Sequence, residues 1–401
     1  MVIRRHPEDF VVREVLTRAI TGKISELPGP RTRFAVYRVE KDSMTTREAA
    51  GALAGDLGAP AGAVSWAGMK DKHARTVQHM TVPVVGGPMA MARRADRGPL
   101  RAELVGWCEQ EAQASWIEAN EFEIVIRDLT LEGAAALKRA AESRVVQSGG
   151  SRSIQFVNYF GAQRFGSARH GEGFAARALV SGNFDRALKL AIGTPARKET
   201  GTQRRASRML AGKWGEWKEL SAELPGGPER RAVEVLANGG DARAAFATLP
   251  HFTQQMCVES YQSWLWNLVA AEIVGAEATR AWVPRQPHVI DPLMGGLMVR
   301  MPGPDSVYEG RAADCVRRVL EAEGISLAEL RVPGLRRPAF GSPERPLVTG
   351  AMRLDVRGPE RDGEGKHRLT MAFALARGAY ATVLLGAIEG WAEGDAATDP
   401  A

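Results

Sequence analysis

The chain has 401 residues, of which 44% are hydrophobic and 25% charged, and its 53 lysines and arginines exceed its 47 aspartates and glutamates by six. This composition predicts a globular protein of about two or three domains, and no apolar run approaches the ~18 residues that a membrane-spanning helix needs. The three cysteines form no CxxC pair, which argues against a disulfide framework or a thiolate zinc site.

The N-terminal segment becomes acidic at Glu8 and Asp9 before any apolar stretch develops, so no signal peptide is predicted there and a cytoplasmic location is expected. Alternation of side chains predicts strands over Asp9–Val15, Phe34–Val39, Ala63–Ala67, Val77–Val85, Phe122–Ile126, Leu347–Val356 and His367–Leu375. Helical spacing predicts helices over Leu131–Gln147, Gln255–Gly275, Arg311–Glu323 and from Tyr380 to Ile388. Thr45 followed by Glu48 predicts a capping box at the start of a further helix that ends near Gly58.

The segments from about Gly182 are helical and basic, and strand patterns return after Pro346. This order predicts a sheet domain interrupted by an inserted helical domain. The basic run Arg197–Lys218 lies in the inserted part. Such a run is typical of a solvated helix face, and RNA contact is the second interpretation.

One loop between two predicted strands combines a carboxylate with several cations: Lys70, Asp71, Lys72, His73 and Arg75. Neighbouring positive charge favours the ionised form of a carboxylate, and lysine and arginine suit a polyanionic substrate. Charged loops commonly face only water, so the pattern alone leaves a solvated turn as the alternative.

Two stretches resemble the signatures of the TruD family of tRNA pseudouridine synthases. The first is Ala67–Gln78, which places Asp71 in the family's nucleophile position, and the second is Asn158–Gly166, which reads NYFGAQRFG. Further similarity lies in Pro7–Phe10, Ser260–Asn267 and Gly378–Leu385. The five blocks keep their order and extend over nearly the whole chain, which makes chance agreement improbable.

The resemblance implies an α+β fold in which a mixed, largely antiparallel sheet forms the catalytic domain. Residues 1–183 and 348–401 are expected to build this pseudouridine synthase domain, and residues 184–347 are expected to form the inserted, helix-rich TRUD domain. The implied arrangement leaves a basic cleft for RNA. We expect a monomer that binds tRNA and no membrane.

The resemblance implies a reaction that converts uridine to pseudouridine in tRNA, at position 13, with neither metal nor cofactor. Asp71 would attack the sugar, remove a sugar proton or add to the base, and the sequence does not choose among these routes. The resemblance implies that Phe10 and Phe373 line the substrate site and that Asn158 hydrogen-bonds the substrate. Phe160 is expected against the flipped base, Lys70 beside Asp71 or a phosphate, and Arg4 on a phosphate.

Two other functions remain open at this point. One is an RNA-binding or tRNA-folding module without catalysis, which the basic run permits. The other is a hydrolase that uses Asp71 with a metal ion, for which the sequence offers no companion ligands at suitable spacing.

Overall fold

The computed structural model describes residues 1–148, 151–166, 172–195, 201–276 and 282–398. Contacts divide the chain into two compact units. Unit 1 consists of Met1–Phe156 with Thr349–Ala401, and unit 2 consists of Val157–Val348. The domain boundaries predicted at 183/184 and 347/348 stay a prediction.

Thirteen strands lie within the described residues: β1 (Phe10–Leu16), β2 (Phe34–Asp42), β3 (Ser65–Trp66), β4 (Arg75–Pro83), β5 (Arg94–Asp96), β6 (Leu100–Cys108), β7 (Ile117–Leu129), β8 (Val146–Ser148), β9 (Ser151–Val157), β10 (Met298–Arg300), β11 (Glu344–Pro346), β12 (Val348–Arg361) and β13 (His367–Ala376). The large sheet has the order β5-β6-β2-β4-β1-β7-β13-β12-β9-β8, with β3 beside β4. Strands β10 and β11 form a separate pair in unit 2.

The described helices are α1 (Arg18–Thr21), α2 (Thr46–Asp56), α3 (Leu131–Glu142), α4 (Ala175–Val180), α5 (Phe184–Leu188), α6 (Gly201–Gly212), α7 (Trp217–Glu223), α8 (Pro228–Ala237), α9 (Ala242–Ala247), α10 (His251–Val274), α11 (Gly310–Glu323) and α12 (Ala381–Thr398). The predicted α+β class with a largely antiparallel sheet is confirmed. No helix in the described ranges has the length and apolar character needed to cross a membrane.

The capping box predicted at the start of α2 is present. The Glu48 backbone N–H donates to Thr45 Oγ1, and the Thr45 backbone N–H donates to the Glu48 carboxylate. The buried face of α2 carries Ala49 and Leu53, which pack against β2, β4 and β6. This packing fixes the short connection from β2 to α2 on the sheet.

Several predicted boundaries are wrong. The helix predicted to reach Gln147 ends at Glu142, and Val146–Ser148 form strand β8, which pairs with β9. The strand predicted over Ala63–Ala67 is reduced to Ser65–Trp66. The last helix extends past Ile388 to Thr398. In each case pairing or packing with a distant segment decides the boundary, which local propensity cannot report.

One strand pair sets the geometry of unit 1. Among the pairings whose register is described, all are antiparallel except β1 with β4, where Val11 lies opposite Arg75. Parallel pairing places the residues that precede both strands at the same end of the sheet. Because β2 is antiparallel to β4, with Asp42 opposite Arg75, the end of β2 reaches that place too.

Candidate active site

The Asp71 loop, residues 67–74, lies where the starts of β1 and β4 meet the end of β2. Three separate parts of unit 1 supply its neighbours: the segment before β1, strand β1 itself, and the chain from the end of β2 to the first residue of α2. The predicted placement of this loop between two strands is confirmed, with β3 on one side and β4 on the other.

The Asp71 carboxylate is bound by an arginine. Arg4 Nη2 lies 2.8 Å from Asp71 Oδ2, while the Asp71 side chain keeps 38% of its surface exposed. The Arg4 guanidinium also lies 4.1 Å from the centre of the Phe10 ring. Arg4 thus links the accessible carboxylate to a buried aromatic side chain, and it is bound to Asp71, whereas the sequence had suggested a phosphate contact.

Lys70 was expected beside Asp71 or a phosphate; the structure pairs it with Glu14 instead of Asp71, and a phosphate contact stays a prediction. Lys70 is only 7% exposed, and its Nζ lies 2.8 Å from Glu14 Oε1 on strand β1, whose side chain is fully buried. Burial by itself would raise the pKa of Glu14, but hydrogen bonds from His79 and the charge of Lys70 outweigh it and hold that pKa below its usual range. Lys70 therefore anchors the loop to the sheet.

The other lysine of the motif is in a different environment. Lys72 is 46% exposed and lies 3.6 Å from Glu48 on the surface. An exposed pair at this distance contributes about 0–1 kcal/mol. Lys70 and Lys72 flank Asp71 symmetrically in the sequence, but only Lys70 is held in the interior.

The loop backbone is tied on both sides of the Lys70–Asp71 peptide. The Lys70 backbone N–H donates to Thr46 Oγ1 at 2.9 Å, and Lys41 Nζ donates to the Asp71 carbonyl at 2.8 Å. The backbone at Gly68 packs closely against Ile117, because a Cβ at position 68 would lie only 3.1 Å from Ile117 Cδ1. The position of Asp71 is therefore set by contacts on several sides.

Three aromatic rings line up across neighbouring strands. Phe122 on β7 lies opposite Phe373 on β13, with ring centroids 5.5 Å apart and stacked, and Phe10 meets the edge of Phe122 at 6.1 Å. Phe10 and Phe373 are 2% and 3% exposed. The structure thus brings the two predicted residues, Phe10 and Phe373, into one apolar array. Its third member, Phe122, was not predicted from the sequence.

Asp9 holds the segment that carries Arg4. Its buried carboxylate accepts a bifurcated hydrogen bond from Arg127 Nε, at 2.9 and 3.0 Å to its two oxygens, and a hydrogen bond from the His6 backbone N–H at 2.9 Å. Burial alone would raise the pKa of Asp9, yet the hydrogen bonds from Arg127 and His6 outweigh it and keep that pKa below its usual 3.8. The residues before β1 are therefore fixed on strand β7.

The ionised Asp9 carboxylate is expected to make unfolding depend on acid pH. A carboxyl whose pKa is lower in the folded state contributes stability above its unfolded value, and that contribution is lost as the pH falls through the folded value. The thermal midpoint of the native protein should therefore fall more between pH 5 and pH 2.5 than that of Asp9→Asn. Parallel curves for the two proteins would contradict this assignment.

The second signature, Asn158–Gly166, lies in unit 2 and has its own anchors. Arg345 donates from Nη2 to Asn158 Oδ1 at 2.7 Å and from Nε to the Asn158 carbonyl at 2.8 Å. Asn158 Nδ2 donates to the Pro346 carbonyl, and the side chain is almost fully buried. Asn158 therefore has both of its amide atoms engaged within unit 2.

Phe160 is held by aromatic and amide contacts. The Arg345 guanidinium lies 4.1 Å from the centre of the Phe160 ring, and Trp266 meets that ring edge-on. Asn267 receives the Phe160 backbone N–H at 2.7 Å and donates to its carbonyl at 2.9 Å. Gln286 binds both backbone groups of Val157 in the same way. The side chains of Gln286 and Asn267 thus make the kind of backbone hydrogen bonds to Val157 and Phe160 that a neighbouring strand would make.

Replacing Arg345 with methionine is expected to lower the stability of unit 2 by about 1.5–3 kcal/mol, because two charge-assisted hydrogen bonds to Asn158 are lost. Amide hydrogen exchange around Asn158 should accelerate accordingly. Arg331→Met is the matched control: Arg331 is an exposed arginine of unit 2 that faces Asp305 on the surface, and its loss should cost less than about 0.5 kcal/mol. Equal effects of the two substitutions would contradict the anchoring role.

The predicted basic run is only partly described. Arg197 and Lys198 lie outside the described residues. Arg204, Arg205 and Arg208 are exposed on α6, and Lys213 is bound to Glu219 and Glu223. Among the described residues no group of three or more His, Cys, Asp or Glu side chains is arranged to hold a metal ion.

Sequence reasoning missed Lys41, Thr46, Arg127, Arg345 and the charged partner role of Glu14. For two of them a signal was present. Glu14 shares a strand face with the apolar Phe10 and Val12, and Lys41 follows Tyr37 and Val39 on the buried face of β2. A charged residue on an apolar strand face predicts a buried partner, because such groups are almost never buried alone.

Comparison with known proteins gives consistent matches over most of the chain. A family model described as tRNA pseudouridine synthase D (TruD) matches residues 1–284. A probable tRNA pseudouridine synthase D 2 of Methanocaldococcus jannaschii is 24% identical over 410 residues, covering 96% of this chain and 90% of that protein. A tRNA pseudouridine synthase D of Aquifex aeolicus is 27% identical over 397 residues, covering 96% of each.

A solved structure has the same fold. The crystal structure of a putative tRNA pseudouridine synthase D from Methanosarcina mazei matches with a TM-score of 0.68, covering 96% of this chain and 93% of that one at 21% identity. At this level of identity the match concerns the fold.

Proposed function

Because the chain belongs to the tRNA pseudouridine synthase D family, we propose that it isomerises uridine to pseudouridine in tRNA, with Asp71 as the reacting carboxylate. The observation that carries the second part is the contrast within the Asp71 loop. The Lys70 side chain, the Lys70 backbone N–H and the Asp71 carbonyl are tied to buried partners, while the Asp71 side chain stays 38% exposed beside the Arg4 guanidinium. A fixed yet accessible anion is what such chemistry requires.

The reaction that we propose is an isomerisation, so uridine and pseudouridine contain the same atoms. The bond between N1 of uracil and C1′ of the ribose breaks, the base turns, and a bond forms between C5 and C1′. C5 releases its proton and N1 takes one up. The ionised Asp71 would attack C1′, remove a sugar proton or add to the base, and these three routes stay open.

The other site residues take supporting roles in the proposal. Arg4 orients the Asp71 carboxylate through the contact of its Nη2 atom with Oδ2. We propose that Phe10 and Phe373, which form one apolar array with Phe122, line the substrate site, with Phe10 next to Arg4. Lys70 supports the loop through Glu14. In unit 2 we propose that Asn158 hydrogen-bonds the substrate through Nδ2 or Oδ1 in addition to the contacts of these atoms with Pro346 and Arg345. We also propose that Phe160 contacts the flipped base.

The target base must leave its stack to meet Asp71, at a cost of a few kcal/mol. We propose uridine 13 in the D arm as this target, on the strength of the motif resemblance. The basic residues of α6 are candidates for contacts to the tRNA backbone, which would make binding weaken as salt rises.

The direct test is incubation of the full chain with a tRNA transcript and detection of pseudouridine at nucleotide resolution. We expect one modified uridine, and a transcript with cytidine at position 13 should remain unmodified. Modification at another uridine would retain the activity and overturn the position. tRNA binding without product at enzyme excess would favour the alternative, a non-catalytic RNA-binding module.

A further inference from the structure

Lys41 is a lysine without solvent exposure at the end of strand β2. Its side chain follows Tyr37 and Val39 on the apolar face of the strand and is 0% exposed. The Nζ atom donates to two backbone carbonyl groups, that of Met44 at 2.6 Å and that of Asp71 at 2.8 Å. A buried lysine must be paired, and here its partners are peptide groups, one of which belongs to the proposed reacting residue.

The two hydrogen bonds can form in both charge states of the lysine. Burial lowers the pKa of Lys41 to about 8, which the nearby charges of Asp71, Glu48 and Asp42 oppose and that of Lys70 reinforces. A neutral amine still carries two N–H groups, and two carbonyl acceptors face it. The contact between Lys41 and the Asp71 backbone therefore persists on both sides of that pKa.

Lys41 binds the Asp71 carbonyl, a different part of the loop from those that Thr46, Glu14 and Arg4 bind. Thr46 holds the backbone before Asp71 through the Lys70 N–H, and Glu14 holds the Lys70 side chain. Arg4 contacts Asp71 at its side-chain carboxylate. The carbonyl of Asp71, and with it the peptide plane that follows, is held by Lys41.

We propose that Lys41 is a positioning residue for the Asp71 carboxylate, acting through the backbone carbonyl of Asp71 from inside unit 1. The inference rests on the proposed function, since it assigns a purpose to the orientation of Asp71. Lys41 has no access to substrate and therefore takes no direct part in the reaction. Its loss should affect the rate of the chemical step and leave tRNA binding unchanged.

The test compares Lys41→Met with the native chain under single-turnover and steady-state conditions. We expect kcat to fall about 100-fold, because a displacement of about 1 Å at a reacting group has an effect of that size, while KM for tRNA stays within about threefold. Hydrogen exchange at the amides of residues 70–73 should accelerate. Lys41→Gln, whose amide keeps two N–H donors, should recover part of the rate. Lys23→Met, which removes an exposed lysine of unit 1, is the matched control and should behave like the native chain.

The outcomes separate this inference from the proposed function. Native-like kcat in Lys41→Met, with Asp71→Asn inactive, would overturn the positioning role and leave the proposed function intact. An inactive native chain would overturn the proposed function, and hydrogen exchange would still test whether Lys41 holds the loop. If Lys41→Met does not fold, Lys41→Gln takes its place in the same measurements. Failure of both to fold would overturn the proposal, because Lys41 would then serve the whole unit.

Discussion

Asparagine at position 71 is expected to reduce the single-turnover rate of pseudouridine formation by on the order of 10⁴-fold or more, as substitution of a reacting side chain typically does. The amide keeps the size of the carboxylate but has neither its charge nor its nucleophilic oxygen. All three routes open to Asp71 require that charge, so the loss should not depend on which one is used. The Kd for tRNA should change less than about tenfold.

The control for this substitution is Asp96→Asn, which removes an exposed carboxylate of unit 1 that lies 3.7 Å from Arg101 on the surface. Its rate should equal that of the native chain. Thermal unfolding of both variants should resemble that of the native protein, since Asp71 and Arg4 form a partly exposed pair. A rate within tenfold of native for Asp71→Asn would remove this residue from its proposed role.

Replacing Glu14 with leucine is expected to destabilise unit 1 by about 3–5 kcal/mol, because the nearly buried Lys70 ammonium would lose its partner. The His79 backbone N–H would also lose its acceptor. Hydrogen exchange of the β1 and β4 amides during urea unfolding measures this effect in unit 1. We expect the activity to fall as well, because Lys70 adjoins Asp71 in the same loop.

A double-mutant cycle separates two contributions to the free energy of unfolding: the penalty for leaving Lys70 unpaired and the interaction energy of the Glu14–Lys70 pair. Glu14→Leu combined with Lys70→Met removes both charges, and apolar replacement of a buried pair is often near neutral. The double variant should therefore be more stable than Glu14→Leu alone. Lys72→Met, at the exposed lysine, should cost less than about 0.5 kcal/mol. Simple additivity of the two single effects would show that Glu14 and Lys70 do not act as a pair.

The family resemblance drawn from five ordered blocks is confirmed. Local rules also succeeded where the interactions are local. The capping box of Thr45 and Glu48 is formed, and the longest predicted helix ends at Val274 with Gly275 as its C-cap, whose φ of 68° suits glycine. These features depend on residues within one or two turns of each other, so the sequence pattern carries the information.

The electrostatics of the candidate site could not be obtained in this way. The partner of Lys70 is 56 residues away on strand β1, and the partner of Asp71 is 67 residues away before it. The parallel pairing of β1 with β4 brings both together, and a linear pattern does not report which strands become neighbours. The motif places a lysine on each side of Asp71 and does not report that the fold buries Lys70 and exposes Lys72.

Pseudouridine mapping in tRNA from cells that carry the native chain, lack it, or carry Asp71→Asn tests the central claim most directly. If Asp71 is the reacting carboxylate of a uridine 13 isomerase, cells with the native chain should show one D-arm pseudouridine. Cells that lack the chain or carry Asp71→Asn should show none at that position. The same map in all three cell lines, or full modification with the asparagine variant, would contradict it.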